Sequence, residues 1–118
     1  MSGDEPSNSE TMFANVHSFM GVPVSRDVEN ADLIVMGIPY DLGTTGRAGT
    51  RHGPQAVRLA SANLRWEMRE KRHPWGYSAF ERLKILDFGD LEFPPGESED
   101  MVNRVIDNVE SIHALGKK

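Results

Sequence analysis

Residues 37–54 read "GIPYDLGTTGRAGTRHGP", and the fold turns on how this stretch is taken. Five of its eighteen residues are glycine and two are proline, and among them stand Asp41, Arg47, Arg51 and His52. The apolar run "ADLIVM" (31–36) precedes it, and "QAVRLASANL" (55–64) follows with helical spacing. "DLIVMGI" (32–38) is continuously apolar after its aspartate and is bounded by glycine and proline. That predicts a strand buried on both faces, as in parallel sheets. Pro54 is suited to the first turn of a helix, where its missing N–H costs nothing. A helix is predicted from near Gly53 to about Met68, with Val57, Ala60, Ser61 and Leu64 on its inner face.

Working outward, "REKRHPWGY" (69–77) ends the helical pattern, because Pro74 and Gly76 stop any helix. "RLKILDFG" (82–89) predicts a second strand, and Pro94, Pro95 and Gly96 a loop. A last helix is predicted from Ser98 to about Leu115. Ser98 serves as its N-cap, and Glu99 and Asp100 complement the dipole in its first turn. Val102, Val105, Ile106, Val109 and Ile112 form its apolar stripe, and Gly116 its C-terminal stop. Upstream, residues 12–30 have scattered apolar positions (Phe13, Val16, Phe19, Met20, Val22, Val24) that predict an irregular path across a folded body. Residues 1–11 are polar and acidic and predict a mobile arm. The domain is taken as residues 12–118.

The order strand, helix, strand, helix is a βαβα unit, whose crossovers are right-handed almost without exception. Two parallel strands do not cover both faces and both edges of a sheet by themselves. The expectation is therefore the opening part of a larger α/β protein.

Composition narrows the class. The chain has 118 residues, 38% hydrophobic, with 13 Lys and Arg against 18 Asp and Glu, so the net charge is 13 − 18 = −5. That balance argues against a nucleic-acid surface, which needs clustered basic residues. No apolar run approaches the roughly 18 residues of a membrane span. The N-terminus does not begin basic and turn apolar as a secretory signal does. With no cysteine there is no disulfide framework and no thiolate chemistry. A cytoplasmic protein is expected.

Ligands of α/β sheets collect at the carboxyl ends of the strands, and the loop after Gly37 leaves such an end. It could be a plain connector, rich in glycine because it turns sharply. A phosphate loop is excluded: Gly43, Gly46 and Gly49 are spaced by three, and no Gly-Lys-Ser/Thr follows. A metal site is the second reading, but His17, His52, His73 and His113 have no partner at ligand spacing, and a lone histidine is far more often a surface or hydrogen-bonding residue. The third reading is a shaped wall for a small charged molecule, with Asp41, Arg47, Arg51 and His52 as its polar groups. The two arginines, four apart in a loop, are each expected to pair with a carboxylate. Asp87 and Asp90 in "LDFGD" are read as solvated or capping acids.

"GIPYDLGTTGRAGTRHGPQAVR" (37–58) also resembles the ureohydrolase family of arginases, agmatinases and relatives. It matches every fixed position of that family's strand–loop–helix signature, G-[IV]-P-[FY]-D-x-G-x-x-x-R-x-G-x-R-x-G-P-x-A-[IV]-R. The continuation "SANLRWE" and "PWGYSAFERLKILDFGDL" is most similar to bacterial agmatinases. The resemblance implies that the chain is the N-terminal βαβα portion of a three-layer α/β/α parallel-sheet fold. It implies two Mn²⁺ ions per subunit, a bridging hydroxide, and hydrolysis of agmatine to urea and putrescine. It also implies a homo-oligomer, trimer or hexamer, at full length. The family's ligand segments (Gly-Gly-Asp-His, Asp-Ala-His-x-Asp and Ser-x-Asp-x-Asp-x-x-Asp-Pro) do not occur here. No catalytic or metal residue is therefore carried over, and this chain by itself is expected to be inactive. Asp41, Arg47, Arg51 and His52 carry over as an active-site rim or a subunit contact. Guanidinobutyrate or another guanidino compound is the alternative substrate, and a non-catalytic paralogue is the alternative role.

Overall fold

The computed structural model describes residues 17–68, 76–94 and 98–118, and the side chains of 65–68 are not among the features described. The expected arm (1–11) and His73 lie outside these residues. Strand β1 is Leu33–Gly37, helix α1 is Gly53–Met68, and a single-turn helix α2 is Ala79–Arg82. Strand β2 is Ile85–Asp90 and helix α3 is Ser98–Ala114. The βαβα order stands, with α2 as an addition. It occupies Arg82, where the second strand was expected to start, and β2 begins three residues later.

β1 and β2 pair in parallel, Leu33 with Ile85 and Gly37 with Asp90. Alternation along β1 sorts its neighbours. Val35 and Gly37 line a groove with Pro54 and Val57 of α1, which Met36 and Ile38 also border. Ile34, Met36 and Ile38 line another with Val109 and Ile112 of α3. The two long helices thus lie on opposite faces of the sheet.

Both outer edges carry the beginnings of further pairing. Next to β2, Val24 forms a parallel bridge with Asp87. There the Asp87 N–H donates to the Pro23 carbonyl and the Ser25 N–H to the Asp87 carbonyl. Next to β1, the Ile34 N–H donates to the Lys118 carbonyl at 2.8 Å and the Lys118 N–H to the Asp32 carbonyl at 3.0 Å. Lys118 therefore brackets Leu33 as a parallel neighbour would.

The pairing skips a residue: Val35 faces Asp87 but Met36 faces Gly89. Phe88 is the extra residue of a β-bulge, and Gly89 takes the φ of +83° that the kink demands. In an unbroken strand Asp87 and Asp90, three apart, would point to opposite faces. The bulge shifts the alternation by one and turns both toward α1.

The inner face of α1 differs from the expected stripe. Ser61 and Ala62 are buried and Arg58 is half-buried, whereas Val57 is 56% exposed and Leu64 51%. A polar contact decides this rotation: the carboxylates that β2 presents draw Arg58 inward. On α3, Met101, Val105, Asn108 and Ile112 are half-buried, and the expected Val102, Ile106 and Val109 are exposed. The apolar arc of α3 is wider than a two-stranded sheet can cover. Gly116, at φ +77°, closes that helix as expected. Ser98 begins it, with its hydroxyl 2.9 Å from the Tyr40 hydroxyl.

Residues 17–30 cross the body irregularly, as expected, and Met20 and Val22 are buried beneath α1 and the sheet edge. Phe19–Gly21 forms a 3₁₀ turn. Met20 holds a left-handed φ of 51°, and its N–H donates to the Ser61 hydroxyl at 2.9 Å. That conformation is uncommon for a residue with a side chain and persists only where the surroundings enforce it.

Candidate functional site

The residues that leave β1 and β2 meet at the carboxyl end of the sheet. The Leu91 N–H donates to the Gly37 carbonyl at 3.0 Å. The Tyr40 ring stands edge-on to Phe93, with centroids 5.9 Å apart. Together with the Tyr40–Ser98 hydroxyl contact, this ties the first loop to the exit of β2 and the start of α3.

The 38–52 loop is closed at its base by Asp41, one of the four residues singled out from sequence. Asp41 is buried although it sits in an exposed loop. Its Oδ2 accepts the Gly49 N–H at 2.7 Å and the Arg51 N–H at 3.2 Å. Its Oδ1 accepts Arg51 Nε at 2.8 Å, and Arg51 Nη2 lies 2.7 Å away. The Arg51 guanidinium holds the Asp41 carboxyl at about 2, against burial and with help from the Arg51 and Gly49 N–H groups. Asp41 in turn raises Arg51 above its ordinary value. A carboxylate with four donors and a fork-shaped cation across it is a rigid closure. Gly49, at φ +149°, lets the chain turn back onto Asp41.

The tip of the loop is exposed from Leu42 to Thr50. Arg47 stands on it, and among the described residues no ion pair joins it to a carboxylate. Of the two loop arginines expected to pair, Arg51 does so within the chain. His52 is exposed at the end of a 3₁₀ turn, Thr50–His52, that leads into α1. The structure thus joins Asp41 and Arg51 into one clasp and leaves Arg47 and His52 on the surface.

A second cluster was missed by sequence reasoning. Arg58, the last fixed residue of the signature, forks onto both acids of β2. Its Nε lies 2.8 Å from Asp87 Oδ2, its Nη2 3.0 Å from Asp87 Oδ1, and its Nη1 2.6 Å from Asp90 Oδ1. Asp87 also accepts the Phe19 N–H at 2.8 Å and the Gly89 N–H at 2.8 Å. It is fully buried, and neither solvated nor a helix cap, which corrects the expectation for it. Burial pushes the Asp87 carboxyl up, but Arg58 and those two N–H groups outweigh it, and the carboxyl lies below its ordinary range. Hydrogen bonding to Asp87 raises Arg58 against the opposing effect of burial, and Asp90 adds to the rise. The available signal was a glycine between two acids, Asp87-Phe88-Gly89-Asp90, which marks a bulge, and an arginine on the expected inner turn of the helix.

Among the described residues, no group of three or more His, Cys, Asp or Glu could hold a metal ion. Asp41 and Asp87 have their oxygens occupied by N–H donors. No helix among the described residues is long and apolar enough to cross a membrane.

The arginase family model matches residues 31–118. The chain belongs to the arginase family. As a family member it is 41% identical to an agmatinase of Proteus mirabilis, over 98% of this chain and 37% of that relative. It is 38% identical to an agmatinase of Sodalis glossinidius, over 92% of this chain and 35% of the relative. The chain thus spans little more than a third of the length of the curated relatives it matches. Its fold superposes on the crystal structure of a hypothetical agmatinase from Burkholderia thailandensis with a TM-score of 0.79 at 34% identity, covering 92% of this chain and 33% of that one. It superposes on proclavaminate amidino hydrolase from Streptomyces clavuligerus with a TM-score of 0.75 at 26% identity, covering 88% and 33%. The expected α/β ureohydrolase fold is borne out by these neighbours and by the parallel strands with helices on either face.

Proposed function

We propose that this chain forms the first strand–loop–helix–strand unit of an agmatinase-type ureohydrolase, which hydrolyses a guanidino substrate to urea and an amine. The carrying observation is that the signature's own acid and arginine, Asp41 and Arg51, clasp the loop at the carboxyl end of β1, where an α/β sheet binds its ligand. The agmatinase names of the relatives support agmatine as the substrate. The neighbour named for proclavaminate amidino hydrolysis favours keeping other guanidino compounds in view.

The chemistry asks for a hydroxide made nucleophilic near neutral pH, which two Mn²⁺ ions would supply. Among the described residues, none fits such a centre. What the chain contributes is a wall. The Asp41–Arg51 clasp neutralises the loop's base, so a cationic guanidinium approaching the sheet meets no unpaired arginine there. Arg47, on the exposed tip, is assigned to a contact between subunits of a homo-oligomer. The acidic net charge speaks against a nucleic-acid partner, and a cytoplasmic location belongs to the same reading.

The test joins residues 1–118 to the matching remainder of the Proteus mirabilis agmatinase. This joined enzyme, supplied with Mn²⁺, should release urea from agmatine faster than from guanidinobutyrate or arginine, whereas the 118-residue chain alone should release none. A well-folded joined enzyme that turns over none of the three compounds overturns the proposal. Preference for guanidinobutyrate keeps the reaction and corrects the substrate.

A further inference from the structure

The ion-paired cluster around Arg58 reaches across the point where the loop departs. Asp90 meets Arg58 Nη1 over Gly37, the last residue of β1. A side-chain carbon added at position 37 would collide with Asp90 Oδ1 and would lie 2.9 Å from the Pro54 side chain in the first turn of α1. Three elements therefore converge on one bare backbone position: the exit of β1, the exit of β2 and the start of α1. The next contact along, Leu91 N–H to the Gly37 carbonyl, holds the two exits together. The loop that ends in the Asp41 clasp starts here and returns here, four residues before Arg58. Among the described residues, the hydrogen bonds of the Arg58 guanidinium go to Asp87 and Asp90, and none to the loop.

We propose that Arg58 is a positioning residue for the reaction assigned above: by holding Asp90 over Gly37 it sets the direction in which the 38–52 loop leaves the sheet, and so governs turnover without touching substrate. The inference rests on the agmatinase-type reading, because its consequence is read in that activity. It is distinct from a purely structural role, in which weakening the cluster would lower the melting temperature and leave both kinetic constants alone.

In the joined enzyme, Arg58→Lys keeps the charge but loses the fork onto two carboxylates, and Gly37→Ala forces Asp90 off Arg58. Each should lower kcat about tenfold with KM within about twofold, a smaller loss than the roughly hundredfold that a misplacement of about 1 Å can cost. Because Gly37→Ala has already displaced Asp90, adding Asp90→Ala to it should lower kcat less than about twofold further. Where Arg58→Lys does not fold, Asp90→Asn, which keeps the shape and removes the charge, takes its place with the same expectation. Losses that multiply independently, a KM rise with kcat intact, or a lower melting temperature with both constants unchanged would overturn the proposal. If the joined enzyme with native residues is inactive, the agmatinase-type reading fails first. The positioning claim is then judged by amide exchange in the same joined protein. Arg58→Lys should speed exchange at the Gly49 and Arg51 N–H groups, which bond to Asp41 and are untouched by the substitution. Unchanged protection there sinks it.

Discussion

Two of the arginine–carboxylate clusters among the described residues, those at Asp41 and at Asp87, solve different problems. In the loop, Asp41 meets Arg51 at a sequence separation of ten, and Arg51 keeps nearly half of its side chain in solvent. Between α1 and β2, Arg58 meets Asp87 and Asp90 at separations of 29 and 32, with 13% of its side chain exposed. The first pair shapes a local turn, and the entropy it must offset is that of a short loop. The second joins a helix to a strand, and Arg58 and Asp87 have left water while Asp90 stays partly exposed. Burying a charge carries a large desolvation penalty that only close, complete pairing offsets. Asp87 has that completeness, with four donors around it. The same chemical pair is thus a loop clasp in one place and a tertiary anchor in the other.

The comparison breaks if the two clusters respond alike to truncation. In the joined enzyme Asp87→Ala leaves Arg58 buried without its main partner. It should lower the unfolding free energy by about 3–5 kcal/mol, measured by guanidinium unfolding. A loss no larger than that of a surface ion pair would remove the anchor role. One substitution at two glycines sharpens the contrast. Gly37→Ala should cost about 1–3 kcal/mol through overpacking against Asp90 and Pro54. Gly46→Ala, in the loop tip with nothing within 4 Å of the added carbon, should stay within about 0.5 kcal/mol. Equal effects at both positions would show that the convergence at Gly37 is not tight in solution.

Acid tests the two carboxylates together. Folded Asp41 takes up its proton at about 2, against an ordinary value of 3.8, so between those values the unfolded chain binds the extra proton. The clasp's contribution is complete above about pH 4 and is lost as pH falls toward 2. Asp87, also lowered, acts in the same direction. Melting midpoints of native and Asp41→Asn proteins should converge across that window, and a gap that stays constant down to pH 2 would contradict the pairing. Arg51→Ala removes the other half of the same clasp and should lower the neutral-pH midpoint by about as much as Asp41→Asn, while trypsin cleaves faster after Arg47. Arg47→Ala should leave the midpoint unchanged and shift the assembly toward smaller species in size-exclusion chromatography. An unchanged elution profile would remove Arg47 from the subunit contact.

Local physics made much of this legible in the residue order. The continuous apolar run before Gly37, the proline at the helix start, and the acids and glycine at either end of α3 each act within a few residues. Those elements appear where their patterns place them. The loop's importance and its pairing arginine were legible for the same reason: Asp41 and Arg51 lie close along the chain, and a charged side chain in a tight loop needs a partner. The inner face of α1 was not legible. An apolar stripe at Val57, Ala60 and Leu64 is a sound expectation when burial is counted residue by residue. It fails because the strand opposite presents charges, which apolar periodicity does not weigh. Whether Asp87 and Asp90 would share a face depended on one extra residue in β2, and only the pairing of β2 with β1 shows where the bulge falls. Composition, spacing and the signature determined the strand–loop–helix order, the family resemblance and the loop proposed as the border of the site. The tertiary structure decided that Arg58 turns inward, that Asp87 is an anchor rather than a solvated acid, and that Gly37 must remain bare, since each follows from distances between segments far apart in the chain.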